Sequence, residues 1–317
     1  MKRARRFEIV YNPRSGGGRG RAIADRLARQ MRSRGHEVTA TGTDRAGQVW
    51  RTLRVDALDA LVVIGGDGTL NEAINGLGDL RVPIAFFAAG TANVARRELR
   101  LPRGAAGFAR LLDDARAVDV PVSVAGNRRW LLFAECGYHA DGVVAANDAW
   151  AASERPRTLE RLRKMGRIAW GALRAVCSSR ATFRATVDGE PLEDLTNLLV
   201  YRNRYYGGAL FLPGPVGIED ARFRVLATRT TSTFVRLSIV ACALARVLGV
   251  VAPYFERRGA LLQRHGRTVE ISAPQRGSTA CHVDAESHAP PPLSIRMLPA
   301  ERMRLIVGPR FRTVLPG

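Results

Sequence analysis

The sequence lacks the features that mark several classes of protein. No run of consecutive apolar residues reaches the length of about 18 that a membrane-spanning helix requires. After the basic residues 1–6 comes a strand-like segment, Phe7–Tyr11, where a signal peptide has an apolar stretch, so we expect a cytosolic protein. Cysteine is also scarce, and no two cysteines show Cys-x-x-Cys spacing. We therefore expect buried, reduced thiols at the four positions, with a disulfide or metal role as the alternative; the four are Cys136, Cys177, Cys242 and Cys281.

Acidic residues are few relative to basic ones. The chain has 29 Asp and Glu against 49 Lys and Arg, a formal net charge of +20. Much of the excess lies in two segments, residues 1–35 and 154–181. A basic surface can bind an anionic membrane or nucleic acid. No helix-turn-helix, zinc finger or RNP-type motif accompanies the charge, so we expect peripheral membrane binding, with no specific partner as the alternative.

The first part of the chain alternates strand-like and helical patterns. Strands are predicted at Phe7–Tyr11, Glu37–Thr41, Ala60–Ile64 and Val82–Phe87, and helices at Gly20–Arg34, Ala46–Leu53, Leu70–Leu77, Thr91–Leu99 and Ala105–Asp114. This alternation predicts a doubly wound parallel sheet. We expect an α/β domain over residues 1–124, joined by a returning C-terminal strand at about residues 299–314.

Residues 125–298 show a different pattern. Short strand-like segments follow one another without regular helices, which predicts an antiparallel β-domain. Two helical segments interrupt it. The basic, amphipathic segment Thr158–Val176 can lie on a membrane or pack its apolar stripe on the core. The second, Thr233–Val251, is apolar nearly all round, so we expect it to be buried or to form one wall of an apolar site.

A glycine-rich loop follows the apolar strand Ala60–Ile64. It reads Gly65-Gly66-Asp67-Gly68-Thr69-Leu70-Asn71 and leads into a helical pattern. A strand, a glycine-rich turn and a helix N-terminus together make an anion site, because backbone N–H groups and the helix dipole favour negative charge. A carboxylate does not help a loop to bind phosphate, so we expect Asp67 to hold Mg²⁺ or to orient a donor group. The alternative is that Asp67 caps a helix.

Two weaker glycine-rich segments follow other predicted strands, at Asn12–Gly18 and Ala89–Asn93. Each alone is equally consistent with a turn or a cap. Ligands of parallel sheets bind at the carboxyl ends of the strands, where all three loops are expected to meet.

A second group of polar residues occurs late in the chain, in the segment Cys281–Glu286. In an extended strand, residues two apart face the same side, which would group His282, Asp284 and Glu286. Two nearby carboxylates can divide the roles of base and orienting or metal-binding group. The alternative is a solvated acidic turn.

These segments together resemble the diacylglycerol kinase catalytic-domain family in its bacterial soluble form, which is related to sphingosine and ceramide kinases. The matching segments are Asn12–Gly16, Gly65–Glu72, Gly90–Asn93, Asn203–Gly208, Glu219–Asp220 and Asp284–Glu286. The resemblance implies a nucleotide-binding α/β domain followed by a β-sandwich, as in NAD kinase and diacylglycerol kinase, with ATP in the cleft between the two domains.

The resemblance also implies roles for individual residues. The implied nucleotide contacts are Asn12, Ser15, Thr41, Gly65, Gly66, Asp67, Gly68, Thr69, Leu70, Asn71 and Thr91. The implied catalytic residues are Asp284, Glu286 and Asp67, with Asp284 or Glu286 removing the proton of a lipid hydroxyl. A structural Mg²⁺ is implied near Asp220, with main-chain oxygens around Gly217 and Arg222.

The chain departs from the family pattern at three positions. Val94 and His139 stand where carboxylates are common, and Ala285 replaces the glycine of an Asp-Gly-Glu motif. We predict an ATP- and Mg²⁺-dependent kinase that converts diacylglycerol to phosphatidic acid. The alternatives are a ceramide or sphingoid-type lipid kinase, an NAD kinase and a catalytically inactive homologue.

Overall fold

The computed structural model describes residues 4–43, 49–50, 53, 55, 57–143, 170–171, 173–207, 210–214, 217–284 and 286–312. The chain divides into two compact units. Unit 1 comprises Met1–Val122, Gly217–Glu219 and Leu298–Gly317, and unit 2 comprises Ser123–Val216 and Asp220–Met297. Unit 1 therefore takes residues from both ends of the chain.

Unit 1 contains a parallel β-sheet. Its strands are β1 (Arg6–Tyr11), β2 (Glu37–Gly42), β3 (Ala60–Gly65), β4 (Ile84–Ala88) and the end of β18 (Leu293–Val307), in the order β2-β1-β3-β4-β18. The central strand β3 is buried at every position, as expected for a parallel strand covered on both faces. The last strand joins β4 in parallel at Leu305 and Ile84.

Helices follow the strands of unit 1. They are the short turn α1 (Ser15–Gly18), α2 (Gly20–Arg32), α3 (Asp67–Gly76), α4 (Val94–Glu98) and α5 (Ala105–Asp113). The longest, α2, buries Ala24, Leu27 and Met31 at helical spacing, which seats its apolar face on the unit. Most of the predicted helix at Ala46–Leu53 lies outside the described residues. The parallel sheet with its helices confirms the predicted α/β domain.

Unit 2 is built from antiparallel strands. They are β5 (Arg116–Ala125, which begins in unit 1), β6 (Arg128–Trp130), β7 (Phe133–Gly137), β8 (Phe183–Val187), β9 (Glu190–Leu195), β10 (Asn197–Tyr201), β11 (Tyr205–Tyr206), β12 (Leu210–Phe211), β13 (Phe223–Thr228), β14 (Leu261–Gly266), β15 (Thr268–Ile271), β16 (Cys281–Val283), β17 (Glu286–His288) and the start of β18. One sheet has the order β14-β13-β10-β7-β16-β17, and a second set of strands runs β18-β15-β8-β9.

The two sheets of unit 2 share one apolar core. Side chains from the first sheet, such as Leu198 and Val225, pack in the same cluster as Phe183 and Ile295 of the second. Trp130 is fully buried in this cluster. The arrangement confirms the predicted β-sandwich.

The expectation of four buried, reduced thiols is wrong. Cys136 of β7 and Cys281 of β16 are directly paired across neighbouring strands, and they form a disulfide with a Cα–Cα distance of 4.3 Å. Their separation of 145 residues hid the pairing, since only the strand register brings them together. Of the other two, Cys177 is exposed and Cys242 is half-buried.

The predicted helix over Thr233–Val251 is instead two helices, α6 (Thr233–Leu244) and α7 (Leu248–Arg257). Arg246 has a φ of 61°, in the left-handed region. Its N–H donates to the carbonyl of Ala243, and that of Val247 donates to Cys242. These two bonds make a Schellman cap. The break was missed because the left-handed position is usually occupied by glycine, and here it is arginine.

Most of the predicted helix at Thr158–Val176 lies outside the described residues, and its described end is helical at residues 170–178, with residue 172 not described. No helix in the described part of the chain is both long and apolar enough to cross a membrane.

Candidate functional site

The three glycine-rich loops of unit 1 lie next to one another at the carboxyl ends of β1, β3 and β4. Backbone hydrogen bonds join them: the N–H of Asn12 donates to Ile64, that of Gly16 to Ala89, and that of Ala89 to Gly65, over distances of 2.7 to 2.9 Å. The loops thus form one surface at the edge of the sheet where ligands of parallel α/β folds bind.

Glycine is required at the contact between two of the loops. A Cβ on Gly90 would lie 2.6 Å from the Cα of Gly66, and a Cβ on Gly65 would lie 2.4 Å from the side chain of Thr69. A side chain at Gly90 would push two loops apart, and one at Gly65 would displace Thr69 within its own loop. The backbone of residues 66–68 remains partly exposed, so it is open to a ligand.

Asp67 caps a helix, but not the one it begins. Its two carboxylate oxygens accept hydrogen bonds of 3.0 Å from the N–H groups of Val94 and Ala95 at the start of α4. Burial raises the pKa of Asp67 above its usual range, while these N–H donors lower it. The cap interpretation therefore holds for α4, and the carboxylate ties the Gly65–Asn71 loop to the Ala89–Asn93 loop.

The other implied nucleotide contacts differ in their exposure. Thr69, Leu70 and Asn71 are buried. The hydroxyl of Thr69 accepts a bond of 3.3 Å from Asn12 Nδ2, which holds the first loop against the second. Ser15 is half-buried and Thr91 is exposed.

Thr41 lies near the carboxyl end of β2, where it pairs with Val10 of β1. It belongs to the edge strand β2, which β1 separates from β3. Its hydroxyl donates a 2.7 Å hydrogen bond to the carboxylate of Glu8. A role for Thr41 in binding nucleotide stays a prediction.

Asp284 lies in a tight turn of unit 2, not in an extended strand. Its φ of 52° is left-handed, so the predicted alternation of His282, Asp284 and Glu286 on one side of a strand is wrong. The Asp284 carboxylate is 3% exposed and accepts hydrogen bonds from three backbone N–H groups. Leu131 donates at 2.9 Å, Leu132 at 2.8 Å and Phe133 at 3.1 Å. Three donors fix the orientation of the carboxylate.

Glu286 lies two residues later, at the start of β17. It is half-buried, and its backbone pairs with Val283 of β16. Asp67 belongs to unit 1, whereas Asp284 and Glu286 belong to unit 2.

Behind this turn lies a buried polar cluster that the sequence did not reveal. The hydroxyl of Tyr206 donates a 2.5 Å bond to Glu135 Oε1, and His282 Nδ1 is 3.6 Å from the same oxygen. Burial raises the pKa of Glu135 to about 8 and lowers that of His282 to about 4. Both groups are therefore mainly neutral at pH 7. The partners are 71 residues apart in the chain, so no local motif signals them.

An apolar pocket adjoins this cluster within unit 2. Its cavity volume is about 20 Å³, and it is partly open to solvent. Its walls are aliphatic, and its few polar groups include His139, Tyr206 and Asn197; the aliphatic residues are Leu199, Leu210, Leu212, Leu226, Ile239, Val240, Ala243 and Leu248. Burial and the nearby Arg236 lower the pKa of His139 to about 4, so its ring is neutral.

The structure describes a main-chain contact of Asp220, where a structural Mg²⁺ is predicted. The carbonyl oxygen of Asp220 accepts a 3.4 Å hydrogen bond from the guanidinium of Arg202. In the described part of the chain, no three His, Cys, Asp or Glu side chains group to hold a metal. The structural Mg²⁺ at Asp220, Gly217 and Arg222 stays a prediction.

Comparison with known proteins finds relatives of the part of the chain that carries the loops of unit 1. Residues 6–123 match the sequence profile of the diacylglycerol kinase catalytic domain. Diacylglycerol kinase from Staphylococcus carnosus is 32% identical over 139 residues, which cover 42% of this chain and 45% of that protein. The enzyme of the same name from Bacillus subtilis is 35% identical over 108 residues, which cover 32% of this chain and 35% of that one.

The chain thus matches less than half the length of these curated relatives. A solved structure of a diacylglycerol kinase from Bacillus anthracis matches the whole fold, with a TM-score of 0.69, 18% identity, and coverage of 98% of this chain and 100% of that one. Residues 6–123, which carry the three glycine-rich loops, are thus similar to the diacylglycerol kinase catalytic domain.

Proposed function

We propose that the chain is an ATP-dependent lipid kinase that transfers the γ-phosphoryl group of ATP to a lipid hydroxyl, with diacylglycerol as acceptor and phosphatidic acid as product. The observation that carries this proposal is the match of residues 6–123 to the diacylglycerol kinase catalytic domain. The names of the relatives favour diacylglycerol over a ceramide or sphingoid-type lipid.

The loops of unit 1 are suited to hold the phosphates of ATP. Residues 66–68 have partly exposed backbone at the N-terminus of α3, where N–H groups and the helix dipole attract negative charge. Both oxygens of Asp67 are engaged with α4. We therefore assign Asp67 to positioning the loops, not to contact with the transferred group. Phosphoryl transfer depends mostly on such positioning and on neutralised charge.

The lining of the unit 2 pocket is chemically suited to an acyl chain, and the pocket, with a cavity volume of about 20 Å³, would have to widen to admit one. Its aliphatic walls favour burial of hydrocarbon, at about 0.8 kcal/mol per buried CH₂ group. Tyr206 and His139 provide polar groups in an otherwise apolar lining, and such groups orient a ligand that has one polar end.

Glu286 is the better candidate for the base that accepts the hydroxyl proton. Three of the roughly four acceptor positions of the Asp284 carboxylate are used by N–H donors. Glu286 is half-buried and therefore more accessible. In the proposed reaction the bond from the γ-phosphorus to ADP breaks, a bond to the acceptor oxygen forms, and the proton passes to Glu286. Asp284 holds the turn that carries it.

Two isosteric variants test this division of roles. We expect Glu286→Gln to lower kcat at least about 100-fold with little change in melting temperature, since a general base contributes about 10²- to 10⁴-fold. Asp284→Asn should lower both activity and melting temperature, because its amide nitrogen cannot accept from the three N–H groups. A well-folded, inactive Asp284→Asn protein beside an active Glu286→Gln protein would show that Asp284 is the base.

The acceptor is tested with radiolabelled ATP and a panel of diacylglycerol, ceramide, sphingosine and NAD. We expect a labelled, chloroform-soluble product with diacylglycerol. A labelled product from NAD alone would identify an NAD kinase. Binding of ATP without any labelled product would identify an inactive homologue, and either result would overturn the proposal.

A further inference from the structure

Helix α7 is apolar on two opposite faces. Its inner face, Leu248, Ala252 and Phe255, is buried. The outer residues Val247, Val250 and Tyr254 follow i, i+3, i+7 spacing and therefore share one side of the helix. They are 42%, 82% and 53% exposed. We call these three residues the outer face of α7.

Helix α6 also carries exposed apolar side chains. Phe234 is 79% exposed and Leu244 is 53% exposed. Large apolar side chains scattered singly on a surface need no explanation, but several on two consecutive helices indicate a binding surface.

The charge around the outer face has one sign. Arg246, Arg257 and Arg258 are exposed, and the guanidinium of Arg258 lies 4.7 Å from the centre of the Tyr254 ring. The only acidic residue between residues 229 and 258 is Glu256, and its carboxylate accepts a hydrogen bond from Gln263. In an anionic bilayer, negative headgroups lie above the hydrocarbon. Arginines suit the headgroups, and the apolar side chains that they border suit the hydrocarbon.

We propose that α7 docks the protein on the surface of an anionic lipid bilayer through Val247, Val250 and Tyr254. A second copy of the chain is a poorer occupant, because a symmetric contact would bring the three arginines of each copy together with one acidic residue per copy.

The docking face adjoins the pocket of unit 2. Leu248, on the inner face of α7, lines that pocket, as do Ile239, Val240 and Ala243 of α6. Two helices thus present one side to the bilayer and the other to the pocket. This inference deepens the proposed lipid kinase function and rests on it, because that function supplies the lipid substrate. The acyl chain of the substrate would pass between the bilayer and the pocket, past α6 and α7.

Vesicle co-sedimentation of the full chain tests the docking without any need for catalysis. Vesicles of phosphatidylcholine with phosphatidylglycerol should bind the wild type. The double variant Val250→Ser/Tyr254→Ser should bind at least tenfold more weakly, whereas Val250→Leu should bind as the wild type does. Equal binding by the wild type and the double variant, or no binding by the wild type, would overturn the proposal.

A matched pair of arginine variants tests the charge. Arg257→Gln should weaken binding to the anionic vesicles about fivefold and leave binding to pure phosphatidylcholine unchanged. Arg276→Gln, at an exposed position elsewhere in unit 2, should change neither. Equal effects of the two variants would mean that the charge contribution is not located at α7.

Phosphorylation of soluble dioctanoylglycerol separates docking from catalysis. The double variant should phosphorylate it at the wild-type rate in the absence of vesicles. If the wild type binds vesicles but phosphorylates no lipid, the kinase proposal fails and the docking remains. If the double variant alters the monomer–dimer equilibrium in analytical ultracentrifugation and not vesicle binding, the face is an interface between copies, and the docking proposal is wrong.

Discussion

Glu135 is a carboxylic acid in the centre of a folded domain with no exposure to water. Among the described residues, no hydrogen-bond partner is found for its Oε2 or for the two ring nitrogens of His282 beside it. A charged form of either residue would be costly there, and their shifted pKa values reflect that cost. The two shifts have opposite consequences for the dependence of stability on pH.

The variant Glu135→Gln isolates the contribution of the carboxyl. The pKa of Glu135 rises from 4.5 to about 8 on folding, so the native state holds a proton that the unfolded state has released. Stability is therefore lost as pH rises towards 8. We expect the free energy of unfolding of the wild type to fall relative to the variant by roughly 1.5 kcal/mol between pH 6.5 and 8.

Urea denaturation at several pH values measures this difference. The pKa values of His139 and His282 are lowered from 6.5 to about 4. Their contribution to the free energy of unfolding therefore has the opposite dependence on pH, and it is lost as the pH falls from 6.5 to 4. They are present in both proteins and cancel in the comparison. A constant difference between pH 6.5 and 8 would mean that Glu135 is ionised in the native protein.

Among the structural elements, β16 is a strand of three residues with an important position. It carries Cys281 and His282, and the Asp284 turn follows it directly. The disulfide to Cys136 fixes it to β7, the strand that carries Glu135. A short strand that precedes two candidate catalytic carboxylates is thus held covalently in register.

We expect Cys136→Ala/Cys281→Ala to lower the free energy of unfolding by about 2–5 kcal/mol, as loss of a disulfide does. The control Cys177→Ala/Cys242→Ala leaves the disulfide in place and should change stability little. Titration of thiols in the denatured, unreduced wild type should give two per chain. Four thiols would show that the disulfide is absent in the isolated protein.

Elements with local signals could be predicted from the sequence, and elements defined by distant contacts could not. The strand Ala60–Ile64 and the loop Gly65–Asn71 carry their signals within a few residues, and the fold of unit 1 follows from them. The left-handed turns at Arg246 and Asp284 have no glycine to mark them. The bond between Tyr206 and Glu135 depends on the pairing of strands far apart in the chain.

At the scale of the whole molecule, the residues that match the family model and the residues that form unit 1 are not the same. The family match covers residues 6–123, but unit 1 also needs Leu298–Gly317, which includes the end of β18 beside β4. Without that part of β18, backbone groups at the edge of β4 would lose their partners, and apolar side chains of β4 that are now buried would become exposed.

A chain that ends at Met297 should therefore aggregate or elute as large oligomers in size-exclusion chromatography. A control that ends at residue 312 keeps all of β18 and should elute as the full chain does. A well-behaved monomer with native circular dichroism from the shorter chain would contradict the role assigned to the last strand.

The return of β18 to unit 1 also has a consequence for the order in which the protein forms during synthesis. A ribosome makes domains from the N-terminus onwards, and the first domain usually folds first. Here unit 2 ends at Met297, before the final segment of unit 1 has been translated. The antiparallel unit can therefore be complete on the nascent chain while the N-terminal unit, which was made earlier, still awaits its last strand.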